Sequence, residues 1–466
     1  MKIRFAVVAA ASALTALPSW GQANIPVMGN TNITISGLLA PRLGNSEITQ
    51  GNATDAAWSN RSAMPSETGV YDNTSRITFA STSKITDGWN VIFQVESRFM
   101  TNVRPGTALL PGNNPTVNNT TTTTGAAAGA GSGLAVNDAS GWADGDTWAG
   151  VSSPYGTIIF GKSSLYWNEG LSTGYLSPAS EGPGESYRIW NVPGLAIFSM
   201  LSGYQSESVS ATGAIAPTDR NILGNTRATN TVKYSSPLLK PDSESLLSFA
   251  LAWSKNPAGA QAMFVNSITP TTANSNANNN STYEGGSTIF GRVGYNGHGF
   301  SAIASYLDQK FEGVLASAAF TELKAFRLGL SYKIAGFKAG VVYDNSNMVN
   351  GVSTAQLVGA AVLSDAKRSV LQVPISYSFG DHAVYATYTK AGDTSSLSGT
   401  SAKQLNFVYD YALTKRAFVG IFYTKLNNDA NAYYQPFLSG YSPFGGSAIA
   451  KGESWRDIGL CLNYWF

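Results

Sequence analysis

This sequence of 466 residues has very few of the residues that crosslink chains or hold transition metals: one cysteine, Cys461, and two histidines, His298 and His382. A single thiol excludes an intrachain disulfide framework. So small a stock of Cys and His argues against a Cys/His metal site. Charge is scarce too. Asp, Glu, Lys and Arg make up 12% of the chain, against roughly 25% in ordinary soluble domains. The formal net charge is +2, which gives no basic field for holding nucleic acid. No apolar run reaches the roughly 20 residues that a membrane-crossing helix needs. His298 lies in a turn and His382 beside one, and no Ser/His pairing of the triad kind is visible. Asp138, Asp144 and Asp146 do not follow the EF-hand spacing and read as a polar loop. The residues therefore predict neither an enzyme nor a cofactor.

The two ends carry the most information. Lys2 and Arg4, the apolar stretch from Phe5 to Leu17, and Gly21-Gln22-Ala23 before Asn24 have the layout of a secretory signal peptide over residues 1–23. Loss of Lys2 and Arg4 brings the formal charge of the mature chain to about zero. The chain closes on Asp457-Ile458-Gly459-Leu460-Cys461-Leu462-Asn463-Tyr464-Trp465-Phe466. There Ile458, Leu460, Leu462, Tyr464 and Phe466 share one face of a strand, and Asp457, Gly459, Cys461 and Asn463 share the other. This pattern suits a membrane β-barrel, apolar toward lipid and polar toward a lumen. An edge strand of a soluble sandwich shows the same alternation. Aromatics at 11% fit a lipid-facing girdle that replaces a charged surface.

From about residue 31 one unit repeats: an alternating run, a tight polar turn, a second run, then a longer polar stretch. Tight turns fall at Thr86-Asp87-Gly88, Ser153-Pro154-Tyr155-Gly156, Asn296-Gly297-His298-Gly299, Ala335-Gly336, Phe379-Gly380-Asp381 and Leu413-Thr414-Lys415, mostly with hairpin-turn chemistry. Long polar segments occupy the alternate connections, near 44–74, 100–145, 163–229, 257–286, 347–366, 391–401 and 428–453. Thr120–Thr124, Ala126–Ala128 and Asn274–Asn280 are low in complexity. Short turns at one rim and long loops at the other are the asymmetry of an outer-membrane barrel, and a sandwich gives no reason for it. The count is about sixteen strands, from Ile33–Arg42 to Trp455–Phe466, an even number that puts both chain ends at the short-turn rim. The fold expected is an all-β, sixteen-stranded antiparallel transmembrane barrel forming one domain over residues 24–466.

Ser75-Arg76-Ile77-Thr78-Phe79 leads through a Gly turn into Trp89-Asn90-Val91-Ile92-Phe93-Gln94-Val95-Glu96-Ser97. This resembles the second and third strands of the general porins of Gram-negative bacteria, the β-proteobacterial branch in particular. Gly150-Val151-Ser152-Ser153-Pro154-Tyr155-Gly156-Thr157, continuing to Phe160-Gly161-Lys162, is similar to the hairpin before that family's constriction loop. Asp410-Tyr411-Ala412-Leu413-Thr414-Lys415-Arg416 resembles the turn before the fifteenth strand, and the terminal Phe466 fits as well. The resemblance implies a homotrimer in the outer membrane, passive diffusion of small hydrophilic solutes and ions, and a third long loop folded inward. It also implies lipopolysaccharide and lipid as surroundings, and delivery to the barrel-assembly machinery through the strand ending in Phe466. Two departures bear on selectivity. The acidic residue common in the first strand is not at Leu38–Arg42, and the third loop is unusually long.

Strand parity proposes the pore wall. With Ile33, Ile35 and Leu39 toward lipid, Arg42 faces the lumen; Arg76, Glu96 and Arg98 follow by the same rule. Arg42, Arg76 and Arg98 form a possible basic ladder, charged at any working pH; alternatively each simply sits in solvated lumen near a rim. Lys233, Arg292, Arg327, Lys333, Lys338 and Arg368 face inward with Asp344, Asp410 and Asp457. This basic excess suggests a weak anion preference. The inward loop is expected over 163–229, where Glu169, Glu181 and Glu185 could oppose the arginines or remain solvated loop charges. Tyr166, Trp167, Tyr175, Tyr187 and Trp190 read first as packing groups and second as stacking surfaces for sugar rings. Trp89, Trp253, Tyr306, Tyr377, Tyr411 and Tyr464 suit interfacial girdles. The alternatives are an oligosaccharide-selective channel and a secreted β-rich adhesin without a pore.

Overall fold

The computed structural model describes residues 23–27, 31–50, 66–72, 75–98, 143, 145–166, 207–209, 215–217, 227–255, 283–313, 321–353, 363–393, 395, 398–432 and 452–466. Residues 1–22 of the expected signal segment (1–23), Asp138, Asp144 and the low-complexity tracts lie outside them, while Ala23, the last residue of that expected segment, begins the first strand. The strands are β1 (Ala23–Val27), β2 (Thr31–Leu39), β3 (Pro41–Gln50), β4 (Ser66–Asp72), β5 (Arg76–Thr86), β6 (Trp89–Arg98), β7 (Thr147–Ser153) and β8 (Gly156–Ser164). Next come β9 (Glu207–Val209), β10 (Ile215–Pro217), β11 (Arg227–Ser235), β12 (Ser245–Lys255), β13 (Tyr283–Gly297), β14 (Phe300–Gly313) and β15 (Thr321–Ile334). The series ends with β16 (Phe337–Ser353), β17 (Leu363–Phe379), β18 (His382–Ala391), β19 (Ala402–Ala412), β20 (Ala417–Asn428) and β21 (Ser454–Trp465).

These form a closed antiparallel barrel of sixteen walls. β2 and β3 are one wall interrupted at Ala40, whose N–H donates to Ser75 Oγ at 3.0 Å. β4 and β5 are likewise one wall, and each later barrel strand is a wall of its own. β9 and β10 pair only with each other. Closure comes from β21, which runs along β3 from Arg42↔Cys461 upward and meets β2 at Leu38↔Trp465 and Leu39↔Tyr464. Phe466 finishes the seam: its carbonyl accepts from Gly37 N–H at 2.9 Å and its N–H donates to Gly37 O at 3.2 Å. Beyond Phe466, β1 takes over the edge of β2, from Ile35↔Ala23 to Thr31↔Val27. Among the described residues the ring closes on itself, as a membrane-spanning sheet requires.

The walls are longer than the apolar alternation indicates. The segment 44–74, read from sequence as a loop, is strand as far as Gln50 and again over Ser66–Asp72. β13 begins at Tyr283, and β16 and β17 run to Ser353 and from Leu363, inside other expected loops. A 17-residue strand is about 56 Å long and, tilted by roughly 40°, rises well beyond an apolar band about 25 Å tall. Above that band both faces meet water and the hydrophobic alternation lapses, while backbone pairing continues. The short-turn rim follows the sequence reading with one exception. β11 and β12 are joined by nine residues, 236–244, clipped by a Leu239↔Leu247 bridge. In the two-residue turn at 298–299, His298 (φ 53°) and Gly299 (φ 80°) both take the left-handed conformation, the geometry whose twist matches that of the flanking strands.

Candidate channel lining

Side chains sort cleanly by face. Outward positions such as Val91, Leu251, Ile289, Leu330, Leu405, Ile421, Ile458 and Leu460 are exposed, and the inward ones beside them are buried. The inward faces are rich in hydroxyl and amide groups: Gln372 Nε2 donates to Thr389 Oγ1 at 3.2 Å, Gln404 Nε2 to Thr424 Oγ1 at 3.3 Å, and Thr424 Oγ1 to Asn406 Oδ1 at 2.5 Å. The expected girdle residues Trp89, Trp253, Tyr306, Tyr377, Tyr411 and Tyr464 all point outward. At the short-turn rim the outward rings are in contact, with Phe300–Tyr332 centroids 4.5 Å apart and Tyr377–Phe379 5.4 Å apart.

Register supplies what parity cannot, the position of each charge along its wall. Arg292 stands opposite Ser305, Ser305 opposite Arg327, and Arg327 opposite Asp344. Arg368 lies two residues from Val370, the partner of Asp344, and acts electrostatically on the Asp344 carboxylate. Three arginines thus occupy inward positions on alternate walls β13, β15 and β17, each no more than 3% exposed. Alternate walls are about 10 Å apart, so this is a continuous basic band with one carboxylate set into it.

That carboxylate binds the start of the 163–229 segment. Asp344 Oδ2 accepts from Tyr166 Oη at 2.6 Å, from Arg327 Nε at 3.1 Å, and pairs with Arg327 Nη2 at 3.1 Å. Arg327 Nη1 donates to the Tyr166 carbonyl at 3.1 Å, and its guanidinium lies 4.4 Å from the Tyr166 ring centroid. Tyr166 and Arg327 are both 0% exposed. Burial, then the neighbouring Asp344 charge, push the Tyr166 phenol well above its ordinary pKa, which keeps it a proton donor. β9, from the same segment, approaches β16. Glu169, Glu181, Glu185, Trp167, Tyr175, Tyr187 and Trp190 lie outside the described residues.

Arg42, Arg76 and Arg98 do not form one rung-by-rung series. Arg76 is directly opposite Arg98 on one side and Leu38 on the other; the Arg98 side chain lies outside the described set. Arg42 is four residues beyond Leu38, about 13 Å along the wall. Its guanidinium packs 5.0 Å from the Phe422 ring centroid. Asp457 is its acidic neighbour. The Asp457 carboxylate lies over Gly44, where an added Cβ would come within 2.7 Å of Oδ1, and Asp410 lies over Gly420, where Oδ1 would be 2.2 Å from a Cβ. Cα atoms only can sit beneath these carboxylates. Glu96 is buried in the same manner against Gly145. Lys333 and Lys338 face each other across the β15–β16 hairpin at the short-turn mouth, and Lys233 is inward on β11. No sequence signal distinguished Tyr166 from its neighbouring aromatics, because its partners are 161 and 178 positions away.

The Gram-negative porin family profile matches residues 6–431. No curated protein sequence matches the chain. Among solved structures, the fold is similar to an anion-selective porin from Comamonas acidovorans, at 15% identity and TM-score 0.61, covering 94% of this chain and 100% of that one. It is also similar to Salmonella typhi OmpF in complex with daunomycin, at 17% identity and TM-score 0.52, covering 95% and 100%. The in-vitro folded OmpT of Vibrio cholerae in its trimer form follows at 12% identity and TM-score 0.50, covering 94% and 99%.

Proposed function

The chain belongs to the Gram-negative porin family, and from that membership together with the charge of its lining we propose that its pore favours anions. As an outer-membrane channel it passes small hydrophilic solutes by passive diffusion. The observation that carries the anion reading is the band Arg292–Arg327–Arg368, three permanent positive charges against the single carboxylate of Asp344. In a narrow aqueous passage with low-dielectric walls, such a band raises the local concentration of anions and repels cations. Lys333 and Lys338 extend the positive potential to the short-turn mouth. A structurally similar protein described as an anion-selective porin supports the same reading.

We further propose that the constriction is made by the 163–229 segment, fixed at its root by Tyr166, and that Glu169, Glu181 and Glu185 supply its acidic face. The functional unit in this reading is a homotrimer, as in the trimer form of the similar OmpT structure. The full chain in planar bilayers between unequal KCl solutions tests the proposal. Chloride should carry most of the current at neutral pH; a reversal potential of the sign set by potassium would refute it.

A further inference from the structure

We propose that the basic band holds tetrahedral oxyanions, with phosphate as the test case, at two serine–arginine pairs inside the lumen. The inference rests on the anion reading and names the class of anion that the band serves. Register sets the pairs. Arg292 on β13 is directly opposite Ser305 on β14, and Arg368 on β17 is directly opposite Ser346 on β16. All four side chains face inward and are buried. Between the pairs, Arg327 has a structural use, giving Nε to Asp344 and Nη1 to the Tyr166 carbonyl. Directly opposite residues on neighbouring strands carry their Cβ atoms about 5 Å apart, so a single ion can touch both members of a pair.

The serine hydroxyls point to a ligand. Among the described residues neither Ser305 Oγ nor Ser346 Oγ has a hydrogen-bond partner, although buried hydroxyls are ordinarily satisfied. The inward neighbours of Ser305 along β14 are Ile303 and Leu307, both buried. They offer no side-chain acceptor, and the low dielectric they create strengthens contacts to an ion. Elsewhere on the lining hydroxyls are matched to amides, as in Gln372–Thr389 and Asn406–Thr424. An unmatched hydroxyl beside a guanidinium suits an acceptor that also carries negative charge. Guanidinium groups bind phosphate through charge-assisted, commonly bidentate hydrogen bonds. A tetrahedral oxyanion then has oxygens left over for the serine. A carboxylate has two coplanar oxygens, both taken by the guanidinium, and chloride offers a single point of contact.

The full chain in planar bilayers at fixed KCl tests this. Inorganic phosphate added to both sides should lower the single-channel current to a plateau. Sulfate should act likewise, and acetate at equal concentration should have much less effect. In Ser305→Ala/Ser346→Ala the half-blocking phosphate concentration should rise about tenfold, the loss expected when a hydrogen bond to a charged group is removed. Ser305→Ala alone should give part of that shift, and it decides the matter if the double variant does not insert. Ser331→Ala, at an inward serine four positions from Arg327 on β15, should keep the wild-type half-block. A phosphate effect that never saturates would make water the partner of both serines and overturn the proposal. Acetate matching phosphate, or equal half-block in every variant, would overturn it too. The reversal potential in phosphate-free KCl reports the anion reading separately: a chloride-preferring channel without phosphate saturation would sink this inference and leave that reading intact.

Discussion

Tyr166 donates a 2.6 Å hydrogen bond from its phenol to Asp344, joining a residue two positions past the end of β8 to the wall of β16, 178 positions later in the chain. Arg327 braces both partners, so three groups share one dry site. Tyr166→Phe keeps the ring over Arg327 but removes a donor from a buried carboxylate. The loss should be roughly 1.5–3 kcal/mol, measured as a lower urea midpoint for unfolding. Under the proposed constriction, open-channel current noise should rise because the start of the segment after β8 is less tightly held.

The same contact sets an alkaline limit. The phenol's folded pKa lies above its unfolded value of 10.0, so the contribution of the protonated group is complete below about pH 10. It is lost as pH climbs through the folded value. Wild-type stability should therefore be flat with respect to this group from neutral pH to about 10 and decline above it. Tyr166→Phe should lack that component of the decline, which a denaturation series in pH would show.

Arg42 serves a different purpose from Arg292 or Arg368, because it is set against Phe422 and close to Asp457. Arg42→Gln should leave the buried Asp457 carboxylate uncompensated and cost about 3–5 kcal/mol. The double variant Arg42→Gln/Asp457→Asn should recover much of that in the same unfolding assay. Its ion selectivity should stay near wild type, since one charge of each sign is removed.

Gly37 is the place where the barrel seam admits no side chain. A Cβ there would lie 2.3 Å from Phe466 Cζ and 2.7 Å from the Arg76 carbonyl oxygen. Gly37→Ala must displace the terminal ring or the β2–β5 pairing, at a cost of about 1–3 kcal/mol. A lower temperature for the folded-to-unfolded shift in gel mobility would report it; an unchanged temperature would show that Phe466 is not part of the seam.

Much of this architecture was legible in the sequence because two-residue alternation records which face meets lipid. The turns at 87–88, 154–155, 298–299, 335–336 and 380–381 were readable from Gly, Pro, Asn and Asp. The extensions of β3, β4, β13, β16 and β17 were not, since a wall standing in water on both faces leaves no apolar period. Height was illegible for the same residues whose direction was plain. Parity turns Arg42, Arg76 and Arg368 inward alike, but only cross-strand register shows that Arg42 is 13 Å or so from the level of Arg76, and that Arg368 joins Arg292 and Arg327. The Tyr166 clamp depended on contacts between distant segments and left no local mark.

The account's central claim is that the β13–β15–β17 arginines set the potential inside the lumen. It is tested most directly by the reversal potential of Arg368→Glu compared with wild type in one KCl gradient. The account predicts a large move toward the potassium potential, with single-channel conductance retained. A reversal potential unchanged by that substitution would contradict it.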